Sequence, residues 1–217
     1  MPRAALKAAV TKVDGLAVAI AGAAVASASS GSVQYCNVTG AIDGDIGFQI
    51  LLPTKTWRLR YLQNGCGGLC GMVSINPPQS DGLTSLAQGS FIIAADDEGH
   101  SGNSATWAEN PRARANFAYR SEHDLRLVST ALAIAFYGRT PRYAYYDGCS
   151  QGGHETLTEV QRYPTDFNGA LAAAPAAIMT ELNGIHRAWN YAANADAAGN
   201  AILLAAKVSI LHKAALR

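Results

Sequence analysis

The feature that most constrains this chain is an apolar stretch that leads directly into a serine flanked by glycines. Residues 143–147 predict a buried strand and residues 153–162 predict a helix; between them stands the G-x-S-x-G sequence Gly148-Cys149-Ser150-Gln151-Gly152. A backbone that turns sharply from a strand into a helix crosses itself closely, so it needs small residues on both sides of the turn. The pattern predicts that Ser150 is a nucleophile on such a turn; the simpler alternative is a glycine-rich turn with an incidental serine.

The other strand and helix signals alternate along the chain. Strands are predicted at residues 47–52, 57–62, 91–95 and 169–174, the last one buried, and a helix opens at Ser121 with a capping-box-like Asp124 and with Leu125, Val128, Leu132 and Ala135 on one face. This alternation predicts an α/β protein of the α/β-hydrolase type, with a mostly parallel sheet flanked by helices. Residues 178–217 are alanine-rich with helical spacing and no strand signal. We therefore expect residues 31–177 to form a partial core whose sheet is incomplete at its C-terminal end.

The first 30 residues allow two interpretations. A basic start is followed by an apolar run from Leu16 to Val25 and then by Ala26-Ser27-Ala28, which is typical of a secretory signal peptide and too short for a membrane span. In the same run, valine and isoleucine alternate with alanine, which is equally typical of a first strand of the mature domain. The sequence leaves both interpretations open.

Composition and charge exclude several classes of function. The chain has 217 residues, 49% of them hydrophobic and 15% charged, with a formal net charge of +1. A chain this apolar is expected to fold, and its scattered basic residues indicate that neither a nucleic acid nor a membrane is a partner. It contains no metal-finger spacing and no phosphate loop, so no metal site and no cofactor are predicted within it.

Four cysteines bear on the compartment and on the site. Cys66 and Cys70 stand four residues apart in a glycine-rich loop, where a local disulfide is one expectation. Cys36 and Cys149 have no neighbouring cysteine in the sequence. Disulfides persist in oxidising compartments, so this usage favours a secreted or periplasmic protein.

A serine nucleophile needs two donors for the oxyanion that its attack creates. In this fold one donor is the backbone N–H of the residue after the serine, here Gln151, and the other comes from a loop after an earlier strand. The loop around Gly67 follows a predicted strand, so Gly67 is the favoured second donor, with Cys66 and Gly68 as neighbouring candidates. His100 follows another strand end, and we expect it either to line the pocket or to hydrogen-bond the adjacent turn.

The acid and the base that Ser150 requires are not found in the expected order, which is serine, then acid, then histidine. His154 lies one turn into the helix that follows Ser150 and is poorly placed to reach back to it. The other downstream candidates do not follow a late strand; they are His186, His212, Asp166 and Asp196. His100 and His123 stand upstream of the serine. We therefore expect this chain to lack the catalytic acid and histidine.

Several motifs of the chain resemble those of the tannase and feruloyl esterase family. They are CNVTG at residues 36–40, GCGGLCG at 65–71, DEGHS at 97–101, YRSEH at 119–123, GCSQGG at 148–153 and EVQRYPTDFNG at 159–169. The resemblance runs from about residue 13 to residue 217, and its CS-x-GG and RYP-x-DF block is specific. Asn116 stands where the family usually has an aspartate.

The resemblance implies a secreted serine hydrolase that acts on phenolic or aromatic esters through an acyl-Ser150 intermediate. It also implies that Cys149 pairs with a cysteine next to the catalytic histidine, and that this cysteine, the histidine and the acid come after a lid domain. Such a lid often binds calcium, and residues 178–217 would lead toward it. None of these downstream parts is in the chain, which therefore resembles the nucleophile-bearing part of a longer enzyme.

Two other functions compete with this interpretation. A catalytically inactive, truncated hydrolase domain would carry the same motifs without turning over an ester. Another α/β hydrolase, such as a depolymerase or a lipase, would share the serine motif, although the combined CS-x-GG and RYP-x-DF signatures argue against it. The sequence does not identify the ester.

Overall fold

The computed structural model describes residue 6 and residues 8–27, 33–76, 83–102 and 104–216. Residues 1–5, 7 and 28–30 of the predicted N-terminal segment lie outside the described residues. The chain divides into two compact units, Met1–Pro175 and Ala176–Arg217, which are described separately below.

The first unit is built on a sheet in which eight strands are described. They are β1 (Lys12–Val13), β2 (Leu16–Ser27), β3 (Gln34–Ile42), β4 (Ile46–Pro53), β5 (Arg60–Asn64), β6 (Phe91–Asp96), β7 (Tyr143–Cys149) and β8 (Gly169–Ala173). Their order in the sheet is β1-β2-β3-β4-β6-β5-β7-β8. The apolar run that begins at Leu16 lies in β2, which pairs with β3 from Val18–Ile42 to Ser27–Gln34.

The sheet is antiparallel in one half and parallel in the other. Strands β1 to β4 form an antiparallel meander, β4 pairs antiparallel with β6, and β6, β5, β7 and β8 are parallel neighbours. The meander contains tight turns in which Asp14-Gly15 and Asp43-Gly44 have positive φ; Asp14-Gly15 is a two-residue hairpin loop, and residues 43–45 form a three-residue loop between β3 and β4. The α/β class with flanking helices is confirmed. The sequence predicted a mostly parallel sheet and did not predict its antiparallel half.

Residues 6, 8 and 9 are helical, and in the described part of the first unit four further helices follow the parallel strands. They are α1 (Thr84–Ala87), α2 (Pro111–Ala115), α3 (Ser121–Tyr137) and α4 (Gln151–Arg162), with a 3₁₀ turn at Ala105–Glu109 and a π-helical turn at Asn116–Arg120. On α3, Leu125, Val128 and Leu132 are fully buried in the main core, as their spacing predicted, and Ala135 packs against it.

Helix α3 begins at Ser121, as predicted, but the capping-box interpretation of this start is wrong. Ser121 does not cap this helix; it continues the helical backbone that begins at Pro111, and its hydroxyl donates to the carbonyl of Asn116. The true start signal is Asn110, whose side chain accepts a hydrogen bond from the Arg112 N–H with Pro111 at the first helical position.

Two strand predictions also differ from the structure. Strand β5 begins at Arg60 and not at Trp57, because Leu59 adopts a positive φ of 59° that interrupts an extended backbone. Strand β8 forms as predicted, but it is not buried: Leu171 is 48% exposed, since β8 is the edge strand of the described sheet.

The second unit contains α5 (His186–Ala193) and α6 (Ala205–Ala215), preceded by a π-helical turn at Thr180–Ile185. The helical character expected for residues 178–217 is confirmed by these elements. Among the described residues, no helix combines the length and the apolar character that crossing a bilayer would need.

Candidate active site

Ser150 occupies the sharp turn between β7 and α4. Its backbone has φ 63° and ψ −113°, which a residue with a side chain rarely adopts. It is the N-terminal cap residue of α4, yet its side chain makes no capping hydrogen bond and is exposed. The turn therefore presents the Ser150 hydroxyl outward and leaves it available for reaction.

The glycines around Ser150 are required by the close approach of backbone segments. A Cβ at Gly148 would lie 2.1 Å from the Gly152 carbonyl oxygen, and a Cβ at Gly152 would lie 2.9 Å from the Cys66 carbonyl oxygen. A Cβ at Gly153 would lie 2.6 Å from the Ala173 carbonyl oxygen. The glycine pattern read from the sequence is therefore a packing requirement of this turn.

The loop after β5 meets the same turn from the other side. The Gly152 N–H donates to the Cys66 carbonyl at 2.8 Å, and the Gly65 N–H donates to the Asp147 carbonyl at 3.0 Å. A disulfide joins Cys66 to Cys70, which confirms that predicted pairing. Parallel strands β5 and β7 are neighbours in the sheet, so their C-terminal ends bring this loop and Ser150 together.

A cavity of about 440 Å³ lies at this junction. The described residues that line it are Asn64, Gly65, Cys66, Gly67, Cys70, Met72, Ser74, Asn76, Cys149 and Ser150. The nucleophile candidate, the thiol of Cys149 and the predicted donor loop therefore share one cavity.

Two predicted pocket residues are absent from the described lining of this cavity. His100 is buried; its Nε2 lies 2.7 Å from the Leu69 carbonyl oxygen and its ring stacks on Trp107 at 4.3 Å. Its partner is thus the disulfide loop and not the adjacent turn. Gly68 has a positive φ of 67° in the same loop and serves its turn.

The backbone N–H groups predicted as oxyanion donors differ in whether they already donate a hydrogen bond within the protein. Gln151 is the first residue of α4, so its N–H has no acceptor within the helix. The Cys66 N–H donates to Glu155 Oε2 at 3.2 Å and is therefore occupied. Gly67, the next residue, lines the cavity, and a Cβ there would meet nothing within 4 Å. The geometry accordingly favours Gly67 over Cys66.

The histidines of the described chain lie in other surroundings. His154 projects from α4 with its Nδ1 3.4 Å from the Gln151 side-chain nitrogen, and burial lowers its pKa. His186 stacks on Trp189 in the second unit, and His212 lies in α6. In the part of the chain that the structure describes, no histidine hydrogen-bonds the Ser150 hydroxyl.

The RYP-x-DF motif fixes the segment after α4 to α3 and β7, a structural role that the sequence alone did not reveal. His123 Nδ1 lies 2.6 Å from an Asp166 carboxylate oxygen, and its ring stacks on Tyr163 at 3.9 Å. Asn168 exchanges two hydrogen bonds with the backbone of Ala144 in β7, at 2.7 and 2.8 Å. The segment after α4 is thereby fixed to α3 and to the strand that carries Ser150.

Beneath the turn lies a cluster of buried acids that sequence reasoning also missed. Its members, each less than 5% exposed, are Asp96, Glu98, Glu122, Glu155 and Glu159. Burial raises the pKa of all five carboxyls, and their mutual repulsion raises the pKa of most of them further. Glu155 and Glu159 stand four apart on α4, so the available signal was two acids on one helix face next to a strand.

These acids do not make a convincing metal centre. Ligand atoms of Cys66, Cys70, Glu98 and Glu155 lie within 4.8 Å of one another. The two sulfurs are joined in a disulfide and offer no thiolate, which leaves two carboxyls. The residues present here therefore do not fit a metal ion.

Comparison with known proteins agrees with this architecture. The family model described as "Tannase and feruloyl esterase" matches residues 30–217. "Feruloyl esterase B" from Aspergillus niger is 34% identical over 166 residues, which cover 72% of this chain and 31% of the relative. "Probable feruloyl esterase B-1" from Aspergillus fumigatus is 34% identical over 156 residues, covering 70% and 28% of the two chains.

Solved structures give the same result. Feruloyl esterase B from Aspergillus oryzae superposes with a TM-score of 0.61 at 27% identity, covering 80% of this chain and 37% of that one. Tannin acyl hydrolase from Aspergillus niger superposes with a TM-score of 0.62 at 28% identity, with coverage of 80% and 36%. The chain spans about three tenths of the length of the curated relatives that it matches. The chain therefore belongs to the tannase and feruloyl esterase family.

Proposed function

We propose that this chain carries the nucleophile of a serine-dependent carboxylic-ester hydrolase, and that Ser150 forms the acyl-enzyme. The observation that carries the proposal is the exposed Ser150 hydroxyl on a strained strand-to-helix turn, facing a cavity that the Gly67 loop also lines. Strain of this kind persists only where the surrounding structure enforces it, and it is concentrated at functional sites.

In the proposed reaction, the Ser150 oxygen attacks the ester carbonyl and loses its proton to a base. The carbonyl oxygen becomes an oxyanion that accepts hydrogen bonds from the N–H groups of Gln151 and Gly67. Collapse of this intermediate releases the alcohol and leaves an ester on Ser150. A water molecule then repeats the attack and releases the carboxylic acid.

The base is the missing component of this scheme. Since no described histidine bonds to Ser150, we propose that the acid and the histidine come from residues outside these 217, as does the cysteine that would pair with Cys149. A calcium-binding lid, if the protein has one, would likewise lie outside them. The 217 residues by themselves should then turn over ester at near-background rates, because binding and oxyanion stabilisation alone give weak catalysis.

The substrate class proposed is a small phenolic or aromatic ester. The support is family membership together with relatives that are named feruloyl esterases and a tannin acyl hydrolase. We also propose a secreted or periplasmic location, which the Cys66–Cys70 disulfide supports.

The test is covalent labelling of Ser150 by a fluorophosphonate, followed by intact-mass measurement, with Ser150→Ala as the control. We expect one adduct on the folded chain, no adduct on the variant, and near-background hydrolysis of a methyl hydroxycinnamate ester. Because these 217 residues lack the proposed base, labelling should be slow; the nucleophile is refuted if a longer chain that contains the downstream histidine takes up no label. Robust turnover by these 217 residues would refute the absent base and acid.

A second measurement is the coding sequence beyond codon 217. An open frame with a downstream histidine–cysteine pair supports the proposed catalytic partners. A stop codon at that point contradicts them and favours a domain that no longer catalyses the reaction.

A further inference from the structure

The Glu155 carboxyl lies directly under the loop that holds the proposed oxyanion donor. Glu155 is 3% exposed, and its Oε2 accepts hydrogen bonds from the Cys66 N–H at 3.2 Å and from the Tyr146 hydroxyl at 2.7 Å. Its other oxygen lies 3.5 Å from Cys70 Sγ. The carboxyl therefore contacts the loop at its backbone and at its disulfide.

The fit between Glu155 and this loop is close. A Cβ at Gly65 would lie 2.5 Å from Glu155 Oε2 and 2.7 Å from the Gly152 Cα. A side chain at Gly65 would prevent this close approach of the loop to the Glu155 carboxyl. The contact between Gly65 and the buried Glu155 carboxyl thus constrains the position of the Gly67 amide, two residues further along the loop.

A second buried carboxyl reaches the other half of the proposed oxyanion site. Glu98 is 1% exposed, a carboxylate oxygen of Glu98 lies within 4.8 Å of one of Glu155, and Glu98 Oε1 accepts from the side-chain nitrogen of Gln151 at 3.4 Å. Burial raises the pKa of both carboxyls, and the repulsion between them raises the pKa of Glu98 further. Two neighbouring buried carboxyls therefore lie between the Cys66 amide and the Gln151 side chain.

We propose that Glu155, together with Glu98, is the positioning group of the oxyanion site and fixes the spacing between the Gly67 and Gln151 N–H groups. The inference rests on the proposed function, because it assigns a role within the same site. Oxyanion donors act through distances of about 2.7–3.1 Å to an atom that exists only in the transition state. A loop released by a few tenths of an ångström therefore loses rate before it loses affinity.

Glu159 offers a matched control for this role. It lies one turn further along α4, is 1% exposed and belongs to the same acidic cluster, but no hydrogen bond from the loop reaches it in the described structure. A purely structural effect of neutralising a buried acid should appear in Glu159→Gln as well as in Glu155→Gln.

The experiment measures how Ser150 reacts with a fluorophosphonate over a range of probe concentrations. This separates the affinity for the probe from the maximal rate of phosphonylation. We expect Glu155→Gln to lower the maximal rate by about 10- to 100-fold at nearly unchanged affinity, below the ~100- to 1,000-fold effect of deleting an oxyanion donor outright. Glu159→Gln should keep the wild-type rate. Equal maximal rates in wild type and a folded Glu155→Gln would overturn the inference and leave Ser150 as the nucleophile.

Amide hydrogen exchange supplies a readout that does not need reactivity. Residues 65–70 should exchange faster in Glu155→Gln than in wild type, and Glu159→Gln should leave them unchanged. If the 217 residues react too slowly to give a rate, exchange alone decides whether Glu155 holds the loop: unchanged exchange in Glu155→Gln refutes it, whatever the outcome for Ser150.

Tyr146→Phe is the second variant, should Glu155→Gln fail to fold. It removes one donor to the same oxygen and keeps the ring in the core. We expect a smaller fall in the maximal rate, about threefold, with the same direction of change in the exchange of residues 65–70. A wild-type rate together with wild-type exchange in this variant would contradict the inference.

Discussion

Replacing Ser150 by glycine should make the protein more stable. A residue with a side chain at φ 63° and ψ −113° carries strain of about 1–3 kcal/mol, which glycine does not. Glycine also gives the unfolded chain more freedom, which costs about 0.4–1 kcal/mol. The Ser150 side chain is exposed and makes no capping hydrogen bond, so its loss removes little else. The net gain should be about 1 kcal/mol.

The informative comparison is with Ser150→Ala. Alanine keeps the Cβ and therefore keeps the strain, so its stability should match that of wild type. For a chain of this size, a gain of about 1 kcal/mol raises Tm by roughly 2–4 °C. Thermal unfolding of the three proteins followed by circular dichroism measures this difference. If Ser150→Gly unfolds no later than Ser150→Ala, the backbone at this turn is not strained and the reasoning is wrong.

Two further predictions concern the surroundings of the turn. Gly148→Ala places a Cβ 2.1 Å from the Gly152 carbonyl oxygen and should lower the free energy of unfolding by ~3 kcal/mol. In Gly67→Ala the new Cβ meets nothing within 4 Å, so the free energy of unfolding should change by less than ~0.5 kcal/mol. Urea unfolding of both variants measures the difference, and equal losses would contradict the argument from crowding at Gly148. Burial raises the pKa of Glu159 to about 9 in the folded state, whereas the unfolded chain releases this proton near pH 4.5. The contribution of Glu159 to stability is therefore fully present below pH 4.5 and is lost as the pH rises toward 9. Glu159→Gln should remove this loss, so its Tm advantage over wild type should grow from pH 5 to pH 9, and an advantage that is constant with pH would refute the assignment.

The sequence predicted the strand–turn–helix junction because its determinants are local. Glycines at 148 and 152, an apolar strand before them and a helical pattern after them all lie within about 20 residues. The core-facing residues of α3 were likewise correct, since helical periodicity is a local property. The first residue of α3 was also correct, but Ser121 was wrongly predicted to cap it, because helical backbone already runs from Pro111 into Ser121.

The contacts that support the site could not be read from the sequence. Glu155 meets Cys66 across 89 residues, and His123 meets Asp166 across 43. The same limitation applied to burial, because β8 reads as a core strand although it lies at an edge.

By itself, then, the sequence determined the serine, its sharp turn and the family to which the chain belongs. The sequence also favoured Gly67 over Cys66 as the second oxyanion donor, but only the tertiary structure showed that the Cys66 amide is engaged by a carboxyl from a distant helix. Backbone conformation follows from residue types that are neighbours in the chain. Whether a backbone N–H is free depends on which acceptor the tertiary structure places beside it. Here the parallel pairing of β5 with β7 brings the loop after β5 next to α4, which carries Glu155.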